Sequence, residues 1–282
     1  MPAKTDNKEI IKTIYRTTYQ DEEYYFSDIL KNAIKNNCRD DSEVDVIARS
    51  KETRIWNSLK RQQTDDMTNG IVPLFTIISD NDRTVKWIGD CSNVGANREV
   101  FVNRPKLYTM VDSFNDREYE VFACFVCKCL GADKITLTAP GNEGGVDFYA
   151  RIPFSKKAHH FFGIKGPIRV VGQCKKFNKK DNVGNMKEFI QTLDFVHNNS
   201  FRAGETIPNW FKLEKGIIIG WHISDLGHQS GALDIAKNFG VIVSDTKELI
   251  DIICKANVID DKSNVVKTIQ DEYMNELLYC DI

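Results

Sequence analysis

Residues 170–177, Val-Val-Gly-Gln-Cys-Lys-Lys-Phe, read as a short β-strand carrying two polar residues where apolar ones are expected. Side chains alternate along a strand, so Gln173 and Lys175 project together with Val171, while Val170 and Cys174 point the other way. An ammonium group turned toward a core is costly unless negative charge meets it. The stretch therefore predicts a sheet with negative charge gathered at one end, from the chain or from a ligand.

The flanks suggest which. Between Arg151 and Lys187 the chain carries ten basic residues, and Asp181 is the only acidic one. A lysine-rich solvated loop is one reading of such a run; a phosphate backbone is the natural partner in the other. On the second reading Lys156, Lys157, Arg169, Lys176, Lys179 and Lys180 are candidate DNA contacts. The overall net charge of −2 excludes a wholly basic coat but not a local patch. Upstream, the stretch GNEGGVDFYA (141–150) places Asp147 near the start of a second strand, after a glycine-rich turn, with Phe148 alternating away from it. If the two strands pair, a carboxylate (Asp147), an amide oxygen (Gln173) and an ammonium group (Lys175) surround one point. Such oxygen ligands suit Mg²⁺, with Mn²⁺ as a substitute, when phosphate and water complete the shell. Lys175 would then hold an attacking water or steady charge developing on phosphorus, while the ion polarises the phosphoryl oxygen.

Helices and strands alternate through the second half. Helix 116–130, capped by Asn115 or Asp116, leads to strands KITLTA (134–139), VDFYARI (146–152) and IRVVGQCKKF (168–177). Helix 183–199, strand EKGIIIGW (214–221), helix 227–240, strand VIVSD (241–245) and helix 246–256 follow. This order predicts an α/β domain with a central mixed sheet flanked by helices. A smaller α+β domain precedes it. Its helices, DEEYYFSDILKNAIKNN (21–37) and SEVDVIARSKETRIWNSLKRQ (42–62), have Asp21 and Ser42 as N-cap candidates, and strands 70–79 and 83–90 come after. Helix, helix, hairpin is the order of a winged helix, with Arg54, Lys60 and Arg61 on the second helix as candidate DNA contacts. A dimerisation domain or a generic α+β domain fits the same pattern. The expected divisions are 1–105, 106–256 and a helical tail 257–282. Trp56 and Trp87 read as core of the first domain.

Other features narrow the class. Cys124, Cys127 and Cys129 lie in an apolar helical pattern without a second ligand cluster of zinc spacing, so they read as buried, reduced thiols. His159 and His160 read as surface residues of the excursion between the two site strands. No apolar run reaches membrane-spanning length, the N-terminus reads as free of a signal peptide, and a cytoplasmic location is expected. No phosphate-binding Gly-x-x-x-x-Gly-Lys-[Ser/Thr] loop is found, so ATP is not an expected partner.

A helix glutamate, then GGVD (144–147), QCK (173–175), VGNMKEFIQTL (183–193) and KGIIIG (215–220) together resemble the Mrr-like branch of the PD-(D/E)xK nuclease superfamily, over about Tyr119 to Cys254. The resemblance implies a restriction-endonuclease-like core and Mg²⁺-dependent cleavage of double-stranded DNA. It implies Asp147 and Gln173 as metal ligands with the Cys174 backbone carbonyl, Lys175 as the catalytic lysine, and Glu120 as the helix acid, acting on the ion directly or through water. Two residues apart on a helix point about 200° apart, so only one of Glu118 and Glu120 can face the site; an aromatic followed by Glu matches the family at Glu120. Here Glu143 stands where relatives often carry Asp. The implied role is a restriction or antiviral defence enzyme, cutting as a homodimer and recognising a specific or modified site through its N-terminal domain. A junction or repair nuclease, and a non-catalytic DNA-binding protein on a nuclease fold, are the alternatives.

Overall fold

The computed structural model describes residues 6–17, 19, 22–68, 73–87, 103–139, 145–154, 166–200, 207–256 and 264–274. The chain divides into two compact units, Met1–Met110 and Val111–Ile282. Among the described residues no helix is long and apolar enough to cross a membrane.

In the first unit the order is α1 (Asn7–Arg16), β1 (Glu23–Tyr25), α2 (Phe26–Ile34), α3 (Asp41–Thr68), β2 (Phe75–Ser79) and β3 (Thr84–Trp87). The strands form an antiparallel sheet in the order β1-β3-β2. The sequence reading missed β1 and began α2 at Asp21. Glu23–Tyr25 instead pair with Thr84–Lys86, so the helix starts only at Phe26, whose cap residue Tyr25 makes no side-chain bond. Ser42 is not the cap of α3 either. Asp40 accepts the Glu43 N–H at 2.9 Å while Glu43 accepts the Arg39 N–H at 2.8 Å, so Asp40 holds the cap and Ser42 falls in the first turn. Val44, Ala48, Ile55, Trp56 and Leu59 form the buried stripe of α3. Trp56 is core as expected, packed on Phe26 and donating to Asp80 at 2.7 Å.

Helix α4 (Arg104–Ser113) leads into α5 (Asp116–Cys129). Of the two cap candidates for α5 it is Asn115 that closes a capping box with Glu118. Then come β4 (Lys134–Leu137), β5 (Phe148–Ile152), β6 (Ile168–Lys175), α6 (Val183–His197), α7 (Asn209–Leu213), β7 (Ile218–Ser224), α8 (Ser230–Phe239), β8 (Ile242–Ser244) and α9 (Thr246–Lys255). The predicted strand 214–221 thus starts and ends later than expected. A short helical turn, Val265–Lys267, continues as a wider helical stretch, Thr268–Met274.

The sheet runs β4-β5-β6-β7-β8, antiparallel from β4 to β6 and parallel from β6 to β8. It is the mixed, helix-flanked sheet expected from the sequence. One face carries Tyr149 and Val171 against Met186, Phe189, Ile190 and Leu193 of α6. The other holds Phe148 and Trp221 in edge contact at 6.2 Å, beside the buried helix α5. Gly172 is required there: a Cβ at that position would lie 2.0 Å from the Phe148 ring. Gly172→Ala is expected to cost at least about 1–3 kcal/mol through overpacking, read as a lowered denaturation midpoint in urea.

Candidate active site

Strands β5 and β6 part at the end where the sequence placed its polar residues, and a β-bulge sits there. Phe148 pairs with Gly172, and the Asp147 N–H donates to the same Gly172 carbonyl at 2.9 Å. Two residues thus oppose one, which re-aims the extra residue. Asp147 does not simply alternate with Phe148 as the strand pattern suggested. Its carboxylate takes the place of a ladder partner, with Oδ2 accepting the Cys174 N–H at 2.6 Å. Thr138 holds the bulge from the other side: its N–H and its hydroxyl both donate to the Asp147 carbonyl at 2.9 Å.

This geometry also orients Cys174. In an extended strand the N–H and C=O of one residue point to the same side. The Lys175 carbonyl is turned toward β7, where it accepts the Asp225 N–H at 3.0 Å, so the Cys174 carbonyl is turned toward Asp147. The Asp225 carboxylate in turn accepts from Thr246 at 2.6 Å, and the Thr246 hydroxyl bonds the buried Tyr119 hydroxyl at 2.9 Å. The end of β6 is thereby tied through α9 to α5, the helix that carries Glu120.

Glu120 and Lys175 both act on Asp147. Burial first, and then the negative charge of Glu120, push the Asp147 carboxyl up to about 6, while the Cys174 N–H, Lys175 and Arg117 pull the other way. Arg117 pairs with Glu120 at 2.7 Å. Glu118 is occupied in the capping box, so the helix acid near Asp147 is Glu120. Neither Arg117 nor Thr138 was picked out in the sequence. Arg117 could have been, since it stands three residues before Glu120 on a helix.

Gln173 is 5% exposed, and its amide N–H donates to the Gly145 carbonyl at 2.7 Å. Gly145 has φ +77°, and a Cβ on it would lie 3.0 Å from the Thr192 hydroxyl and 3.3 Å from the Gln173 amide nitrogen. Gly145 is therefore held closely against Gln173. The Gln173 Oε1 is buried with no hydrogen-bond partner among the described residues. A buried, unpartnered acceptor next to a carboxylate that resists ionising is a donor set short of positive charge. It fits a hard divalent cation.

The candidate DNA contacts divide. Lys179 and Lys180 are exposed just beyond β6, and Arg54 and Arg61 are exposed on α3, seven residues apart and hence on one face. Lys60 pairs with Asp80 at 2.8 Å. Lys176 donates to the carbonyls of Val111, Asp112 and Phe114 and so closes the C-terminal end of α4. Arg169 lies at the opposite end of β6 from Lys175, donating to the carbonyls of Phe211 at 2.8 Å and Gly216 at 3.0 Å. Lys156, Lys157, Glu143, His159 and His160 lie outside the described residues. Cys124 and Cys127 are buried, as expected, and burial pushes both thiols up; Cys129 is only half-buried, against expectation, and its thiol is pushed up to about 12.

No family model matches this chain, and no curated protein matches it. Among solved structures it is similar to the MspJI restriction endonuclease in complex with a 27-mer oligonucleotide, at 19% identity over 67% of this chain and 41% of that one, with a TM-score of 0.37. It is also similar to the DNA modification-dependent restriction endonuclease AspBHI, at 13% identity over 62% of this chain and 40% of that one, with a TM-score of 0.40. The chain matches about two-fifths of the length of each of these structures.

Proposed function

We propose that this chain is a Mg²⁺-dependent DNA endonuclease of the restriction type. The carrying observation is the bulge that turns Asp147 onto the Cys174 N–H beside Glu120 and Lys175, with the bare Gln173 oxygen on the adjoining strand residue. Asp147, Gln173 and the Cys174 carbonyl would hold the ion, with Glu120 acting on it directly or through water. The ion supplies Lewis-acid polarisation of the scissile phosphate.

The chain's own groups do the rest. Lys175 holds the water that attacks phosphorus; one P–O bond forms from that water and the bond to the leaving sugar oxygen breaks. Arg117 keeps Glu120 turned in one direction by a bidentate-capable guanidinium, so the carboxylate does not swing to solvent. The exposed Lys179 and Lys180, next to the site, would follow the phosphate backbone. The first unit, with its helix, strand, helix, helix and hairpin, would read the sequence or its modification as a winged helix, using the Arg54 and Arg61 face of α3. With one site per chain, a double-strand cut takes either a homodimer, the arrangement proposed here, or sequential nicking.

Matched unmodified and cytosine-methylated plasmids, each incubated with the protein and Mg²⁺, test this reading. Cleavage of at least one plasmid is expected, falling about 10²–10⁴-fold in Lys175→Ala. Cutting restricted to methylated DNA would make modification the recognition signal. Equal cutting by Lys175→Ala would remove the lysine from the mechanism.

A further inference from the structure

On the α6 side of the sheet, next to the strand end that bears Lys175, three buried side chains from three separate segments meet. Asp181 lies in the β6–α6 connection, His222 in β7 opposite Gln173, and His228 in the β7–α8 connection. They are 0%, 0% and 6% exposed. Backbone bonds fix the two connections together: the Asp181 N–H donates to the Gly227 carbonyl at 2.9 Å, and the Gln229 N–H donates to the Asp181 carbonyl at 2.9 Å. Phe189 of α6 walls the group at 5.2 Å from the His222 ring.

The polar atoms inside do not satisfy one another. Asn185 donates to Asp181 Oδ1, and His222 Nδ1 and His228 Nε2 share one proton at 2.9 Å. That leaves Asp181 Oδ2 facing His222 Nε2 at 3.4 Å, and neither atom has a hydrogen-bond partner among the described residues. Burial, then the neighbouring His228, then Lys175 hold His222 down to about 3, so the ring is neutral. A neutral imidazole offers one lone pair: with the shared proton on His222 Nδ1 and donated to His228 Nε2, that lone pair is on His222 Nε2, facing Asp181 Oδ2. Two unpaired buried acceptor sites face to face are unfavourable by several times a lost surface contact. A dication between them removes that penalty. Tetrahedral bonds of about 2.0–2.1 Å separate their ligand atoms by roughly 3.4 Å, the separation found here.

We propose that Asp181, His222 and His228 bind one zinc-class divalent ion, separate from the Mg²⁺ site. One ligand atom from each residue lies within 4.8 Å of the other two; His228 joins the set by giving the ion the lone pair that otherwise accepts from His222 Nδ1, so binding breaks that hydrogen bond. Two imidazoles and a carboxylate select a borderline transition ion over the hard cation suited to Asp147. The three ligands are buried, which makes the site structural in role, with a water as the fourth ligand. The ion ties both connections to β7 two register positions from the Lys175–Ser224 pair, and so stiffens the strand end that presents Gln173 and Lys175.

Cobalt(II) substitution tests it on the full chain, freed of any tag and stripped with chelator. The expected result is one equivalent of Co²⁺ per chain, with the visible d–d bands of a four-coordinate nitrogen and oxygen site and no sulfur-to-cobalt charge-transfer band. Zn²⁺ is expected to displace it and to raise the thermal midpoint. Asp181→Asn and His228→Gln should each weaken Co²⁺ binding by more than the roughly 10–100-fold that loss of an outer partner costs, whereas Asp147→Asn should keep the spectrum. Wild-type protein without d–d bands, or with a thiolate band, overturns the site even if the variants misfold. Unchanged binding in Asp181→Asn overturns it as well.

Discussion

Asp147→Asn is expected to abolish cleavage and yet make the metal-free protein more stable. The native carboxyl sits at about 6 because burial and Glu120 disfavour its charge, against an ordinary value of 3.8. About two units of upward shift correspond to ~3 kcal/mol of native-state penalty at neutral pH, as an upper limit. Asn removes the charge but keeps an oxygen for the Cys174 N–H, at the loss of some charge assistance, which leaves a net gain of about 1–2 kcal/mol. For a unit of this size that is a rise of roughly 2–8 °C in thermal midpoint in EDTA. The sign in pH follows from the same shift. The folded chain keeps a proton that the unfolded chain releases, so the metal-free wild type loses stability as pH rises from about 4 to about 6 and then levels off. The variant should lack that slope. In Mg²⁺ the order reverses, since the ion stabilises the wild type alone, and cleavage falls by at least about 100-fold. A midpoint in EDTA equal to or below wild type would sink the buried-charge account, and retained cleavage would sink the site.

Mg²⁺ binding should be steeply pH-dependent, and this is the second large effect. An ion can take Asp147 only as the carboxylate, so below about pH 6 the apparent affinity should fall about tenfold per pH unit, with a plateau above pH 7. Calorimetry in two buffers of different ionisation enthalpy would read close to one proton released per ion at pH 5 and almost none at pH 8. Cleavage at limiting Mg²⁺ should rise through the same window, with its midpoint moving to lower pH as the ion saturates. Affinity that is flat from pH 5 to pH 8 would mean that Asp147 is not a ligand.

These predictions rest on a proposed site whose strand and helix positions are legible in local sequence patterns. The alternation of Gln173 and Lys175, the glycine-rich turn before Asp147 and the asparagine cap of α5 are local patterns, governed by strand pleat, turn chemistry and helix-end hydrogen bonding. They fixed the mixed sheet and the order of its elements. The cap at Asp21 was misplaced for a reason that is not local: β1 exists only because β3 is there to pair with it; the cap at Ser42 lost to a local rival, Asp40 with Glu43.

What the sequence by itself determined, then, is the kind and order of the strands and helices of the second unit, since period and capping depend on near neighbours. Only the tertiary structure decided what their residues meet. The bulge that sets Asp147 against Cys174 depends on the β5–β6 register. Lys176, one residue beyond Lys175, spends its charge on the end of α4 rather than on a ligand. The approach of Asp181, His222 and His228 depends on a parallel crossover that brings β7 beside β6. No spacing rule records that approach, because the distance between such groups is set by strand register and helix packing and not by their separation along the chain.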